Sequence, residues 1–460
     1  MFSKETYTGR REALAASLDG GLLVFPGNNE SPMNYADNCY DFRQDSTFLY
    51  YFGLNQPEVA AVVDVDAGTA TIFGDELSID HIVWMGDLPT VAERAEKVGV
   101  SDTRPFGAVA DVVAAARAAG RAVHYLPPYR ADTTLWLADL LGMAPAEVAD
   151  GASLDLLRAV VDQRNIKSDE EVAEIDRAVE TSVAMHVAAI RMAHPGMNEA
   201  EIAAEVARIA KAAGGRTSFP IIATIHGETL HNHAHVNQMS DGDLFLLDTG
   251  AETALGYAGD LSSTFPVSER FSERQRTIYE LQLASQVASV EALAPGVPFR
   301  DVHFTGARVI FDGLKDLGIM KGDTDEALAA GAHAVVFPCG TGHMMGLDVH
   351  DMENLGEVWV GYAGEPKSTQ FGLKSLRLAR PLEPGFVVTV EPGIYFIPQL
   401  MDLWRADGTC AEFINFDELD KWRDFGGVRN EEDFLITADG ARRLGPHKPQ
   451  TVEEIEALRG

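Results

Sequence analysis

The chain has 460 residues, 46% of them hydrophobic, and a formal net charge of −33 from 70 acidic and 37 basic residues. A surface that negative repels phosphate backbones and anionic lipid, which argues against nucleic acid and membrane surfaces as partners and suits cations. The length predicts two domains. No run of about 18 apolar residues occurs, the first residues hold no apolar leader core, and Cys39, Cys339 and Cys410 lie too far apart for a disulfide framework or a CxxC knuckle. A soluble, cytoplasmic protein in a reducing compartment is the expectation.

The first part reads as an α/β layer domain. A helix is predicted over 3–17 and strands over 21–26, 58–65, 69–73 and 121–126. Asp66-Ala67-Gly68 is a hairpin turn signal. Alanine-rich helices fall near 88–98, 107–119 and 131–142, interleaved with the strands. The aromatic stretch 42–52 reads as core packing of a strand and a helix start. A helix over 150–162 leads into a polar joint at Gln163–Lys167. The boundary is set there, giving domains 1–165 and 166–460.

The second part repeats itself. Ser168 with Glu171 forms a capping box and opens a helix with apolar residues at helical spacing, which ends at His194-Pro195-Gly196. A second helix opens at Asn198 with Glu201. Phe219-Pro220 and an apolar strand over 243–248 follow. The same order recurs after more than 100 residues. A helix capped by Ser272 and Gln275 ends at Ala294-Pro295-Gly296, another spans 299–317, and then come Phe337-Pro338 and a strand over 386–391. Each copy ends its strand in an acid, Asp248 or Glu391, and is followed by a second acid-bearing segment, at Asp260 or Glu431. Two such halves face to face would bring two acids from each into one crevice.

Unpaired acids ending apolar strands are expensive to bury, and four together repel one another. A multivalent cation resolves both problems. Asp248, Asp260, Glu391 and Glu431, with an imidazole from His343 and no thiolate pattern, fit a pair of hard or borderline divalent ions such as Mn²⁺. Such ions activate a water and polarise a carbonyl. His343 sits seven residues before His350 in a glycine-rich stretch, 339–351, which by itself leaves open base, ligand and core roles. Periodicity leaves open which of Glu431 and Glu432 faces the crevice, since only one can on a strand. His231, His233 and His235 would share one face of a strand and offer a competing three-imidazole zinc site.

These residues resemble the proline-specific metallopeptidases of the pita-bread fold, Xaa-Pro dipeptidase (prolidase) and aminopeptidase P. The resemblance rests on Leu247-Asp248-Thr249-Gly250, the segments 259–266, 342–351 and 389–395, and Gly426–Asp433. It covers nearly the whole chain, with 42–53 resembling the N-terminal domain and 166–445 the catalytic one. It implies an α/β (α+β) chain with an N-terminal creatinase/aminopeptidase P-like domain and a C-terminal pseudo-twofold pita-bread domain. It further implies two divalent ions per chain, most expectedly Mn²⁺ with Co²⁺ or Zn²⁺ as alternatives. Asp248, Asp260, His343, Glu391 and Glu431 would be the ligands, Asp260 and Glu431 spanning both ions, and Glu391 would also be the general base. His231, His350 and Arg429 match active-site residues that address substrate. A homodimer follows from the family's habit.

The substrate implied is a small peptide with proline in second position. The run 372–385, in which Arg377 would grip a dipeptide's carboxylate, and the insert 395–425 resemble prolidase. Xaa-Pro dipeptidase is therefore preferred over Xaa-Pro aminopeptidase. Rivals are a creatinase-like or organophosphate-cleaving hydrolase and a non-catalytic binding module of this fold. Cys339, Met345 and Asn430 depart from the family pattern, Cys339 standing where histidine is usual.

Overall fold

The computed structural model describes residues 1–460, which divide into two compact units: Met1–Arg164 with Met352–Gly356, and Asn165–Asp351 with Glu357–Gly460. The first unit's main span ends at Arg164, within the polar stretch Gln163–Lys167. The assignment of Met352–Gly356 to the first unit was not legible in the sequence, because nothing in those five residues marks a change of partner.

The first unit is built on a mixed five-stranded sheet. Its strands are β1 (Leu22–Pro26), β2 (Val59–Asp64), β3 (Thr69–Gly74), β4 (Asp102–Arg104) and β5 (Val123–His124), in the order β4-β3-β2-β1-β5. β1, β2 and β3 pair antiparallel, while β4 and β5 add parallel edges. The predicted hairpin turn is present: Asp64 Oδ1 accepts the Ala67 N–H at 3.1 Å. The strand predicted over 121–126 shrinks to Val123–His124, because only Leu22 and Leu23 pair with it. Around the sheet lie α1 (Lys4–Ala16), α2 (Ser46–Phe52), α3 (Ile79–Met85), α4 (Val91–Glu96), α5 (Ala108–Ala118), α6 (Ala131–Leu141) and α7 (Leu154–Asn165). The aromatic stretch holds no strand: Asp45 caps α2 by accepting the Phe48 N–H at 2.8 Å, and Phe48, Tyr50, Tyr51 and Phe52 are buried.

The second unit shows the predicted repeat as two similar halves. In the first, α8 (Asp169–Met192) and α9 (Glu199–Ala212) precede β6 (Arg216–Thr217), β7 (Ile222–Thr224), β8 (Leu244–Thr249), β9 (Ala251–Glu252) and β10 (Leu261–Pro266). In the second, α10 (Glu273–Glu291) and α11 (Phe299–Asp316) precede β11 (Val387–Val390), β12 (Gly393–Tyr395), β13 (Gly427–Arg429), β14 (Glu432–Ile436) and β15 (Ala441–Arg443). Capping boxes open α8, α9 and α10, as their sequences predict.

Each half holds a three-stranded antiparallel sheet, β10-β8-β7 and β11-β14-β15. β7 pairs with the acid-bearing strand of the first half. In the second half the segment 341–345 takes that place, through a Met344–Val388 bridge, Thr389 N–H to His343 O at 3.0 Å and Met345 N–H to Val387 O at 3.0 Å. Gly342 makes this approach possible: a Cβ there would lie 2.1 Å from Thr389 O. The halves are sewn together along β10. Glu431 N–H donates to Ser262 O at 3.1 Å, and Arg429 N–H to Thr264 Oγ1 at 3.0 Å. No helix is long and apolar enough to cross a membrane.

Candidate metal centre

Strand register assembles the acids. Asp248 lies near the end of β8, and Asp260 immediately precedes β10. Because the two strands run antiparallel with Leu261 opposite Thr249 and Ser262 opposite Asp248, these acids come side by side. Glu391 follows β11 and Glu431 precedes β14, and the pairing of Val390 with Glu432 makes them neighbours in the same way. An antiparallel pair places one strand's end beside its partner's start, and the repeat does this twice.

His343 completes the group. Its Nε2 lies 3.4 Å from Asp260 Oδ2 and 3.5 Å from Glu391 Oε1. Its Nδ1 lies 3.0 Å from Met344 O, and an N–H donated there leaves the Nε2 lone pair toward the acids. The ligand atoms of Asp260, His343 and Glu431 all lie within 4.8 Å of one another, and all three side chains are buried. Glu431, and not Glu432, joins the cluster. Glu432 pairs instead with Arg443 Nη1 at 3.2 Å.

The donor set fits a hard or borderline cation. Asp248 Oδ1, Asp260 Oδ1 and Glu431 Oε1 are buried oxygens with no hydrogen-bond partner in the protein. Burial holds the Asp260 carboxyl well above its ordinary range, and the Asp248 charge adds to the effect. Burial and the neighbouring Asp260 do the same to Glu431. Glu391 is pushed up to about 7 by burial, against the opposing pull of His343 and Arg429. A multivalent cation would reverse these penalties, since it favours the charged carboxylates.

Behind the acids lies a polar frame that the sequence did not announce. Arg429 donates from Nη2 to Asp248 Oδ2 at 2.6 Å, from Nε to Ser262 Oγ at 2.9 Å and from Nη1 to the Tyr395 hydroxyl at 2.9 Å. Ser262 Oγ in turn donates to Glu431 Oε2 at 2.7 Å. Asp433 Oδ2 accepts the Asp260 N–H at 3.0 Å. The guanidinium is buried with all three nitrogens engaged by protein, so it organises the acids. Ser262 holds one carboxylate oxygen and leaves the other to a metal. Ser262→Ala is expected to weaken metal binding about 10- to 100-fold, as loss of such supporting bonds does, with calorimetric titration as the check.

The remaining predicted residues surround this group. The His350 ring lies 4.3 Å from that of His343, at 70°. Burial lowers the His231 pKa, and the Arg429 charge lowers it further. The charge of Arg377 is felt at both His231 and His343. Arg377 itself is half-buried and pairs through Nη1 with Glu357 Oε1 at 2.6 Å.

The predicted strand through His231, His233 and His235 is absent. Residues 232–237 run without regular structure, and Asn232 reaches Thr224 of β7 by a side-chain bond, Nδ2 to Oγ1 at 3.0 Å. His235 Nε2 bonds to Ile221 O at 3.0 Å, while His231 and His233 stack at 6.4 Å. The three imidazoles form no common metal cluster, and the competing zinc site is discarded.

Two departures from the family pattern find local explanations. Asn430 is buried, donates to Gln282 Oε1 at 2.6 Å and accepts from the Tyr279 hydroxyl at 3.3 Å, so its amide is satisfied where an aliphatic is usual. Cys339 Sγ lies 4.0 Å from the Tyr395 hydroxyl, and burial beside Glu391 pushes its thiol up to about 12. It is a neutral neighbour of the centre.

Comparison with known proteins agrees with this geometry. The profile of Metallopeptidase family M24 matches residues 173–438, and that of the aminopeptidase P N-terminal domain matches residues 7–124. The chain is 32% identical to human Xaa-Pro dipeptidase over 446 residues, covering 95% of this chain and 88% of that enzyme. It is 31% identical to Escherichia coli Xaa-Pro aminopeptidase, covering 99% and 98%. The solved structure of Pseudomonas aeruginosa aminopeptidase PepP superposes with a TM-score of 0.81 at 30% identity, covering 99% of this chain and 98% of that one. With the family profile spanning more than half of its length and the buried acid–histidine cluster in place, this chain belongs to metallopeptidase family M24.

Proposed function

We propose that the enzyme hydrolyses the peptide bond before proline, acting on Xaa-Pro dipeptides, with two divalent ions, preferentially Mn²⁺, held by Asp248, Asp260, His343, Glu391 and Glu431. The observation that carries the metal assignment is the set of three buried, unpartnered carboxylate oxygens on Asp248, Asp260 and Glu431 beside His343. When bound, the ions supply a water nucleophile at neutral pH and polarisation of the scissile carbonyl. Glu391 takes the proton of the attacking water and returns it to the leaving proline nitrogen. It is suited to this because its backbone is anchored by the Glu391 N–H to Thr341 O bond at 2.7 Å. His231 and His350 donate to the oxygen on which negative charge develops. Arg429 keeps Asp248 and Ser262 in place.

The dipeptide preference is supported by Arg377. A guanidinium on the side of the site sensed by His231 and His343 rewards a free carboxylate with a charge-assisted pair. A peptide that continues past proline has no carboxylate at that point. The aminopeptidase reading is kept as a second possibility, because the Escherichia coli and Pseudomonas aeruginosa relatives match over almost their full lengths.

The test is to give Mn²⁺-loaded enzyme Gly-Pro and Ala-Pro beside Gly-Pro-Ala and Ala-Pro-Ala. Hydrolysis of the dipeptides is expected. Cleavage of the tripeptides with none of the dipeptides overturns the dipeptidase assignment in favour of the aminopeptidase.

A further inference from the structure

Beneath the segment that carries His350 lies an ion pair that no step above uses. Lys167 Nζ lies 2.8 Å from Asp351 Oδ2, and both side chains are 1% exposed. A buried pair of this kind adds little net stability but fixes geometry where its partners are rigid. Here both partners are rigid. The Lys167 N–H donates to Gly385 O at 2.8 Å, and Lys167 directly precedes Ser168, the cap of α8. Asp351 closes the loop that contains His350. Its N–H donates to Met344 O at 2.9 Å, and its Oδ1 accepts the Asp348 N–H at 3.3 Å.

The backbone is packed against the pair. A Cβ on Gly346 would stand 2.6 Å from Asp351 Oδ2 and 2.9 Å from Lys167 Cε. Gly346 O also accepts the Ala258 N–H at 2.9 Å, two residues before Asp260. The loop 344–351 is therefore held at Met344, Gly346 and Asp351, and the His350 ring projects from the last of these holds onto His343.

We propose that the Lys167–Asp351 ion pair is a positioning device that fixes the His350 loop, and so sets how well His350 stabilises the reacting carbonyl. This rests on the reading that His350 addresses substrate. Lys167 and Asp351 act through the loop.

The test is a double-mutant cycle on the Mn²⁺-loaded full chain, with D351N, H350A and D351N/H350A, measuring kcat, KM, metal content and Tm. D351N keeps the shape of the side chain and removes its charge. It is expected to lower kcat about tenfold or more in the presence of His350 and under about threefold in the H350A background, with metal content unchanged. Equal losses in both backgrounds, or no loss in either, overturn the positioning role while leaving the His350 reading intact. Undiminished kcat in H350A alone overturns the His350 reading and the positioning role with it. Should D351N fail to accumulate as folded protein, K167R is read in the same cycle, because it keeps both charges and displaces the donor.

Discussion

Replacing Glu391 with Gln lowers kcat by about 10²- to 10⁴-fold, the range lost with a general acid–base group, while the protein stays folded. The substitution conserves volume and removes the carboxylate proposed as proton acceptor. Glu391 stands 3.5 Å from His343 Nε2 at the end of an anchored strand, so the structure has little freedom to bring another base to that position. Asp260→Asn acts differently. Asp260 is buried, meets both His343 and Glu431, and has an oxygen free of protein partners. An amide offers one neutral oxygen where the cluster needs a charge, so metal content falls together with activity. Assay of Xaa-Pro hydrolysis beside metal analysis of the purified variants separates the two effects. Undiminished turnover in both variants would sink the metal-site assignment. Chelation of the wild-type protein completes the comparison. Removing the cation leaves like-charged buried carboxylates facing one another, so the melting temperature drops and returns when Mn²⁺ is restored.

Arg377→Met raises KM for Gly-Pro about 10- to 100-fold, the scale of one lost charge-assisted hydrogen bond. Methionine keeps the length of the apolar stem and removes only the cation. Tripeptides with proline in second position have no carboxylate at this point, so their KM stays within about twofold. The contrast between the two substrates is the measurement. Parallel losses on both would place Arg377 in general support of the site and remove the physical basis for the dipeptide preference. The Glu357 pair on the same guanidinium, at 2.6 Å, holds it in one orientation before substrate arrives.

Family membership was legible in the chain because its signals are local. Capping boxes at Ser168, Asn198 and Ser272 are closed by residues three positions away, and each one opens a helix in the structure. The acids stood out because each flanks or ends an apolar strand, where a charge without a partner is costly. The repeat could be read because both halves use the same local order of helices and strands.

Failures came where a segment's fate depends on distant partners. Residues 231–235 show the polar alternation of an exposed strand, yet they meet residues 221–224 through side-chain bonds of Asn232 and His235 and form no ladder. The strand predicted over 121–126 is trimmed by the two pairs that β1 offers it. Asn430 looked anomalous until Gln282 and Tyr279 supplied its partners from α10.

The sequence by itself determined the family, the repeat and the acids that end or flank its apolar strands. These follow from composition, short-range capping and the cost of burying charge on apolar strands. Only the tertiary structure decided how those acids are held. Ser262 to Glu431, Arg429 to Asp248, Asp433 to Asp260 and Lys167 to Asp351 each join residues more than 160 positions apart. No periodicity or spacing encodes such pairings. They arise when two antiparallel sheets fold against each other and each buried polar group must find a partner that the local chain does not supply.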